Sequence, residues 1–156
     1  MFCEKHIHRY DLNLMEMCVE IAKKSNMNSK HGCIIIDKKG KIISSACNKR
    51  RSMDTEHISD INIRRQKKFS RHAEETALKN VNRNDLKGAV LYVVRYGNHE
   101  NNPYFMNSKP CEKCTAIIKA NMERHGLKAA YYSTDNEFYN IWFFYNYFLG
   151  FIIIPW

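Results

Sequence analysis

Several features that would fix the class of this chain at once are missing from it. Residues 1–10 mix Glu4, Lys5, His6, His8 and Arg9 and contain no apolar run of the kind a secretory signal requires. The six cysteines, apart from one C-x-x-C pair, are scattered through apolar segments, which is not the pattern of a disulfide framework. Both absences lead to the expectation of a reducing, cytoplasmic setting. No internal repeat and no low-complexity segment is present, and a hydrophobic fraction of 44% beside 26% charged residues excludes a chain too polar to form a core. Acidic residues are few, 16 against 25 lysines and arginines, and the net charge of +9 creates a field that attracts phosphate groups on a nucleotide, a nucleic acid or an anionic membrane. After Glu137 no charged side chain occurs at all.

A length of 156 residues suits one domain around a single sheet. We expect residues 1–137 to form it and residues 138–156 to be an apolar, aromatic tail. From Asp11 to Ser25, Leu14, Met17, Cys18 and Ile21 recur at helical spacing, with Glu16 and Glu20 on another face. Gly32–Asp37 and Lys41–Cys47 read as two strands joined by the turn residues Asp37-Lys38-Lys39-Gly40. Asn48 to Ser70 is polar, basic and aperiodic, a long loop. His72–Asn80 is rich in helix formers, and Ala89–Val94 is a continuous apolar run, the mark of a strand covered on both faces. A loop from Tyr96 to Lys109 leads to Pro110, suited to a first helical position, and a helix then runs from Cys111 toward the cap residue Gly126. Leu127–Ser133 is the last strand. The order helix, hairpin, helix, strand, helix, strand predicts an α/β fold, a three-layer α/β/α sandwich with a central mixed sheet.

Two short motifs carry chemistry: His72-Ala73-Glu74 and Pro110-Cys111-Glu112-Lys113-Cys114, each at the start of a helix. Cys111 and Cys114 project from one face of a turn, and a helix N-terminus favours thiolate. Two thiolates and one imidazole, from His72, fill three tetrahedral positions of Zn²⁺ and leave the fourth for water, which distinguishes a catalytic zinc from a closed structural one. Glu74, two residues beyond His72, sits on a different part of the turn and is placed to move protons without becoming a ligand.

The paired H-x-E and P-C-x-x-C motifs resemble those of the cytidine/deoxycytidylate deaminase-like superfamily of zinc enzymes, which also contains tRNA adenosine deaminases. The likeness runs from about Lys30 to Ser133, with Gly32-Cys33-Ile34-Ile35-Ile36-Asp37 and Lys41-Ile42-Ile43-Ser44-Ser45 similar to the family's first hairpin and Leu91-Tyr92-Val93-Val94 to its third strand. The resemblance implies a zinc-dependent hydrolytic deaminase in which Glu74 relays the protons of an attacking water. It also implies that Asn48 contacts the sugar of the substrate and that the Ala73 backbone contacts its base.

Outside these motifs the blander readings are preferred. Cys18, Cys33 and Cys47 lie in apolar segments and read as small core residues, and Cys3, His6 and His8 as a frayed terminus rather than a second metal site. Lys49, Arg50, Arg64, Arg65 and Arg71 surround the first motif and are candidates for phosphate contact. The tail from Phe138 to Trp156 is interrupted by Asn140, Asn146, Gly150 and Pro155, a poor membrane span, so we expect it to pack on the domain or in the interface of a homo-oligomer. A small cytosine nucleoside or nucleotide is the expected substrate. A base in a polynucleotide, suggested by the positive charge, is the second reading, and a zinc-holding binding module without activity the third. Intact Glu74 argues against the third.

Overall fold

A computed structural model describes residues 9–50, 70–97 and 106–133. Helix α1 (Arg9–Lys23) precedes strands β1 (Lys30–Ile36) and β2 (Ile42–Cys47), and two short strands, β3 (Lys49–Arg50) and β4 (Ser70–Arg71), lead to helix α2 (Ala73–Asn80). A 3₁₀ turn at Arg83–Leu86, strand β5 (Val90–Tyr96), helix α3 (Glu112–His125) and strand β6 (Ala129–Tyr132) complete the described chain. The main sheet has the order β2-β1-β5-β6: the β2–β1 and β1–β5 pairs are antiparallel, and β5–β6 is parallel. The sheet is therefore mixed, as the element order predicts.

Alternation along the strands makes the three layers. Cys33, Ile35, Leu91, Val93, Ala130 and Tyr132 face one way and pack with Ala73, Ala77 and Leu78 of α2 and Ile118 and Met122 of α3. Ile34, Ile36, Tyr92 and Val94 face the other way, onto α1. β1 and β5 are thus covered on both faces, and their buried β-branched runs follow from that.

Helix α1 presents Leu14, Met15, Cys18, Val19 and Ala22 to the sheet, whereas Met17 is 44% exposed. The buried stripe is thus rotated from the expected Leu14, Met17, Cys18, Ile21 face. The cause is close approach at Gly32, where an added Cβ would collide with the Cys18 carbonyl and lie 2.7 Å from the Ala22 amide nitrogen. Only a residue without a side chain lets the helix backbone rest on β1, and that contact selects which residues of α1 face inward.

Two further expectations are refined. The ends of the long loop pair with each other, Lys49 with Arg71 and Arg50 with Ser70, as a ribbon that a search for periodicity does not reveal. Pro110 stands before the cap, not inside the helix: Cys111 is the N-cap of α3, and Gly126 closes that helix in the left-handed conformation at φ 73°. The interior of the loop between the ribbon strands, most of the 96–109 loop, the terminal Cys3, His6 and His8, and the tail at 138–156 with its domain boundary lie outside the described residues. Among the described residues no helix is long and apolar enough to cross a membrane.

Replacing Gly32 by Ala is expected to lower stability by about 1–3 kcal/mol through overpacking against α1, read as a lower midpoint of thermal unfolding, and an unchanged midpoint would contradict the close-packed contact. The turn between β1 and β2 gives a pH-dependent expectation. The exposed Asp37 carboxylate accepts N–H bonds from Lys39 (2.8 Å) and Lys41 (2.9 Å), which hold its carboxyl below the usual range. A lowered native value stabilises the fold fully above the ordinary carboxylate pKa and fades as pH falls through the native one. The difference in unfolding midpoint between the wild type and Asp37→Ala should therefore shrink on acidification from pH 6 toward pH 2.

Candidate metal centre and active site

His72 and Cys111 come from different helices but occupy the same position in each, the residue that caps the N-terminus. An N-cap side chain ordinarily accepts a bond from the first turn. Neither residue does so here, because both side chains turn toward each other. Cys111 Sγ lies 3.5 Å and Cys114 Sγ 3.3 Å from His72 Nδ1, although the residues are 39 and 42 positions apart in sequence. All the ligand atoms of the three residues fall within 4.8 Å of one another. A tetrahedral zinc with bonds of about 2.3 Å to sulfur and 2.0–2.1 Å to nitrogen places those atoms about 3.6 Å apart. The described cluster therefore has dimensions that suit one face of a zinc tetrahedron, with Nδ1 the His72 nitrogen that faces the two sulfurs.

Without a cation the cluster does not favour a thiolate at Cys114. Burial pushes the Cys114 thiol far up, and the Glu74 carboxylate and Cys111 add to that rise. The helix N-terminus alone thus does not produce a thiolate at Cys114 as the sequence suggests. A dication among the ligands does, since coordination deprotonates a thiol outright.

Glu74 stands beside the cluster without belonging to it. It is 5% exposed, and its carboxyl is raised above the usual range chiefly by burial, against the pull of His72 and a hydrogen bond with Cys114. The residue expected to carry protons is thus the one whose environment moves it toward neutrality. Ala73, between the two functional side chains, is fully buried against the sheet.

Three sets of contacts hold the cluster together. Thr76 donates to the His72 carbonyl from both its amide (3.1 Å) and its hydroxyl (3.0 Å), fixing the first turn of α2. Lys113 Nζ reaches Glu75 Oε2 at 3.0 Å and links the two helix starts, a half-exposed pair contributing about 0–1 kcal/mol that acts mainly on alignment. Ahead of Cys111, Ser108 and Ser133 form a buried knot. The Ser108 hydroxyl donates to the Val93 carbonyl (2.9 Å), the Ser133 hydroxyl to the Met106 carbonyl (2.6 Å), and the Ser133 amide to Ser108 Oγ (2.8 Å). The segment leading to the cysteines is thereby tied to β5 and to the end of β6.

Asn48 lies next to Lys49, whose cross-strand partner Arg71 precedes His72. Its Oδ1 accepts from Ser25 Oγ (2.7 Å) and from the His31 amide (2.8 Å), while its Nδ2 donates to the Ser29 carbonyl (2.7 Å). The asparagine braces the connection between α1 and β1, a role that sequence reading missed. His31 and Arg95 were missed too. They are cross-strand partners, and both Arg95 and His72 act electrostatically on His31, whose imidazole is held below its usual pKa mainly by burial. Counting by twos from Cys33 and Val93 places both on the metal side of the sheet, but the register that makes them neighbours is not visible in the sequence.

Lys49, Arg50 and Arg71 line a cavity of about 810 Å³ together with Lys24, Thr76 and Asn80. It contains none of the metal ligands. Arg64 and Arg65 lie outside the described residues.

The family described as the cytidine and deoxycytidylate deaminase zinc-binding region matches residues 8–127. Among solved structures, the fold is similar to that of the dCMP deaminase from cyanophage S-TIM5 in its apo form (20% identity, TM-score 0.55, covering 85% of this chain and 88% of that one). The same phage enzyme in complex with dCMP and dUMP is 19% identical, with TM-score 0.53 and coverage of 83% and 85%. The cytidine deaminase from Burkholderia pseudomallei is 16% identical, with TM-score 0.53 and coverage of 90% and 93%. No curated protein matches the chain.

Zinc is the metal that the donor set and the family agree on. Free zinc at about a thousand times its Kd adds about 4 kcal/mol to stability, so chelation should lower the unfolding midpoint by roughly 8–16 °C at about 2–4 °C per kcal/mol. In Cys114→Ser the chelator should have little effect, and a full chelation response in that variant would remove Cys114 from the ligand set.

Proposed function

The chain belongs to the cytidine and deoxycytidylate deaminase family, and on that premise we propose that it hydrolyses the exocyclic amine of a cytosine nucleoside or nucleotide, releasing the uracil product and ammonia. The observation that carries the reading is the convergence of His72, Cys111 and Cys114 on one point with the buried Glu74 carboxyl beside them. These three residues are the proposed ligands. Zinc held there supplies the Lewis acidity that makes water a nucleophile near neutral pH.

Glu74 performs the proton transfers. Its carboxylate takes a proton from the water as the oxygen attacks the ring carbon bearing the amine, and gives it to the adjacent ring nitrogen. It then carries the second water proton to the amine, which leaves as ammonia while the carbon–oxygen double bond forms. A carboxyl biased toward neutrality by burial is suited to taking and returning protons in turn. The Ala73 backbone is the proposed contact to the base. Asn48 is the proposed contact to the sugar: an amide side chain has two N–H groups, and one is used on Ser29, which leaves one for a hydroxyl.

A cytoplasmic location fits the cysteines, which are free thiols wherever the structure describes them. A homo-oligomer is also proposed, with the tail as its candidate contact. One observation favours a second reading, deamination of a base in a polynucleotide: among the described residues the cavity of about 810 Å³ is bordered by Lys24, Lys49, Arg50 and Arg71 and by no acidic residue. Affinity for a single strand or tRNA that falls steeply with salt would support it.

Glu74→Gln is expected to keep zinc and fold while losing about 10²–10⁴-fold in rate, measured as ammonia release from cytidine, deoxycytidine and their monophosphates. Loss of the metal with the activity would show that Glu74 holds the site together instead of moving protons, and undiminished turnover would remove it from the mechanism.

A further inference from the structure

At the end of the β1–β5 pair lies a second cavity, of about 250 Å³, bordered by Asn28, Ser29, Lys30, Arg95, Gly97 and Met106 among others, with no acidic residue among the described ones. Whole drug-sized ligands occupy about 300–1,000 Å³, so a space of this size suits a fragment of a ligand. Lys30 is already engaged, its ammonium donating to the carbonyls of Ser25 (3.0 Å) and Lys23 (3.3 Å). Arg95 differs: its Nε is buried and has no hydrogen-bond partner among the described residues. Leaving a charged donor unsatisfied costs more than leaving a neutral one, and such a group calls for an explanation.

The backbone of Arg95 is fixed on both sides. Its amide donates to Ser133 Oγ at 3.3 Å, and its carbonyl accepts from the Met106 amide at 2.9 Å. The serine knot that holds the cysteine segment therefore also sets where the guanidinium starts. Arg95 follows Leu91 and Val93 on the face of the sheet that packs against α2 and α3, and it pairs across the ladder with His31, which is within electrostatic reach of His72. An arginine with a fixed backbone and an unused buried donor thus stands on the face of the sheet that carries the cluster, beside a small cavity that has no acidic lining among the described residues. Guanidinium groups recognise phosphate and carboxylate oxygens through paired N–H bonds.

We infer that Arg95 anchors the phosphate of a nucleotide whose base is deaminated at the zinc, making the chain selective for a nucleoside monophosphate over the nucleoside. This rests on the deaminase reading above and narrows it. The phosphate occupies the small cavity, where Asn28 and Ser29 add neutral polar contacts. The anchor is distinct from Lys49, Arg50 and Arg71, which line a different cavity.

The test compares zinc-loaded wild type with Arg95→Gln and Arg95→Lys in two assays: kcat/KM on dCMP against deoxycytidine, and calorimetric Kd for dUMP against deoxyuridine. A charge-assisted hydrogen bond is worth about 1.5–3 kcal/mol, so the preference of the wild type for the phosphorylated member should drop by roughly 10–150-fold in Arg95→Gln. Arg95→Lys, which keeps the charge but not the paired donors, should fall between, and it serves alone if the glutamine variant does not fold. A wild type that shows no preference for the phosphate, or variants that keep it, would overturn the inference while leaving the deaminase reading in place. No turnover of either compound by zinc-loaded wild type would remove the deaminase reading and the inference with it.

Discussion

One convergence organises this fold: two sulfurs, from residues 39 and 42 positions away in sequence, lie 3.5 and 3.3 Å from one imidazole nitrogen, a spacing that suits a single cation. The chain achieves it by aiming the N-termini of α2 and α3 at one point and using the capping position of each for a proposed metal ligand. Neither His72 nor Cys111 bonds from its side chain into the first turn of its own helix, which leaves both free to face each other. The arrangement also places the positive ends of two helix dipoles beside thiolates, where they favour the negative charge that the ligands need.

The rest of the architecture can be understood as support for that convergence. Gly32 lets α1 lie directly on β1, which buries one face of the sheet and leaves the other for the two ligand-bearing helices. The parallel β5–β6 pair brings Val93 and Ser133 together, and the Ser108–Ser133 knot formed there holds the approach to Cys111. Buried hydrogen bonds of this kind specify one arrangement of a segment that its apolar content alone would not. The same knot reaches Arg95, so the support for the metal and the proposed site of substrate selection share one structural element.

Much of this was legible in the sequence because it is written in local patterns. The hairpin follows from β-branched runs around Asp37-Lys38-Lys39-Gly40, the covered strand from the run ending at Val94, and the metal cluster from two motifs whose side-chain chemistry has few other uses. What was not legible depends on relations between distant segments. Met17 belongs to the helical stripe by spacing, yet it faces outward because of a glycine on another element. The β3–β4 ribbon pairs residues across a long polar loop. His31 and Arg95 are ordinary strand residues until the β1–β5 register makes them neighbours. The Cys114 thiol illustrates the same limit in its electrostatics: its place in a first helical turn suggests a low pKa, and burial, which sequence does not state, reverses the sign.

The central claim is a single zinc held by two sulfurs and one nitrogen with a fourth position open, and X-ray absorption at the zinc edge of metal-loaded protein measures it most directly. The account predicts one zinc per chain with two sulfur scatterers at about 2.3 Å and two nitrogen or oxygen scatterers at about 2.0–2.1 Å. A shell of three or four sulfurs, as a closed structural site or a site bridging chains would give, would contradict it.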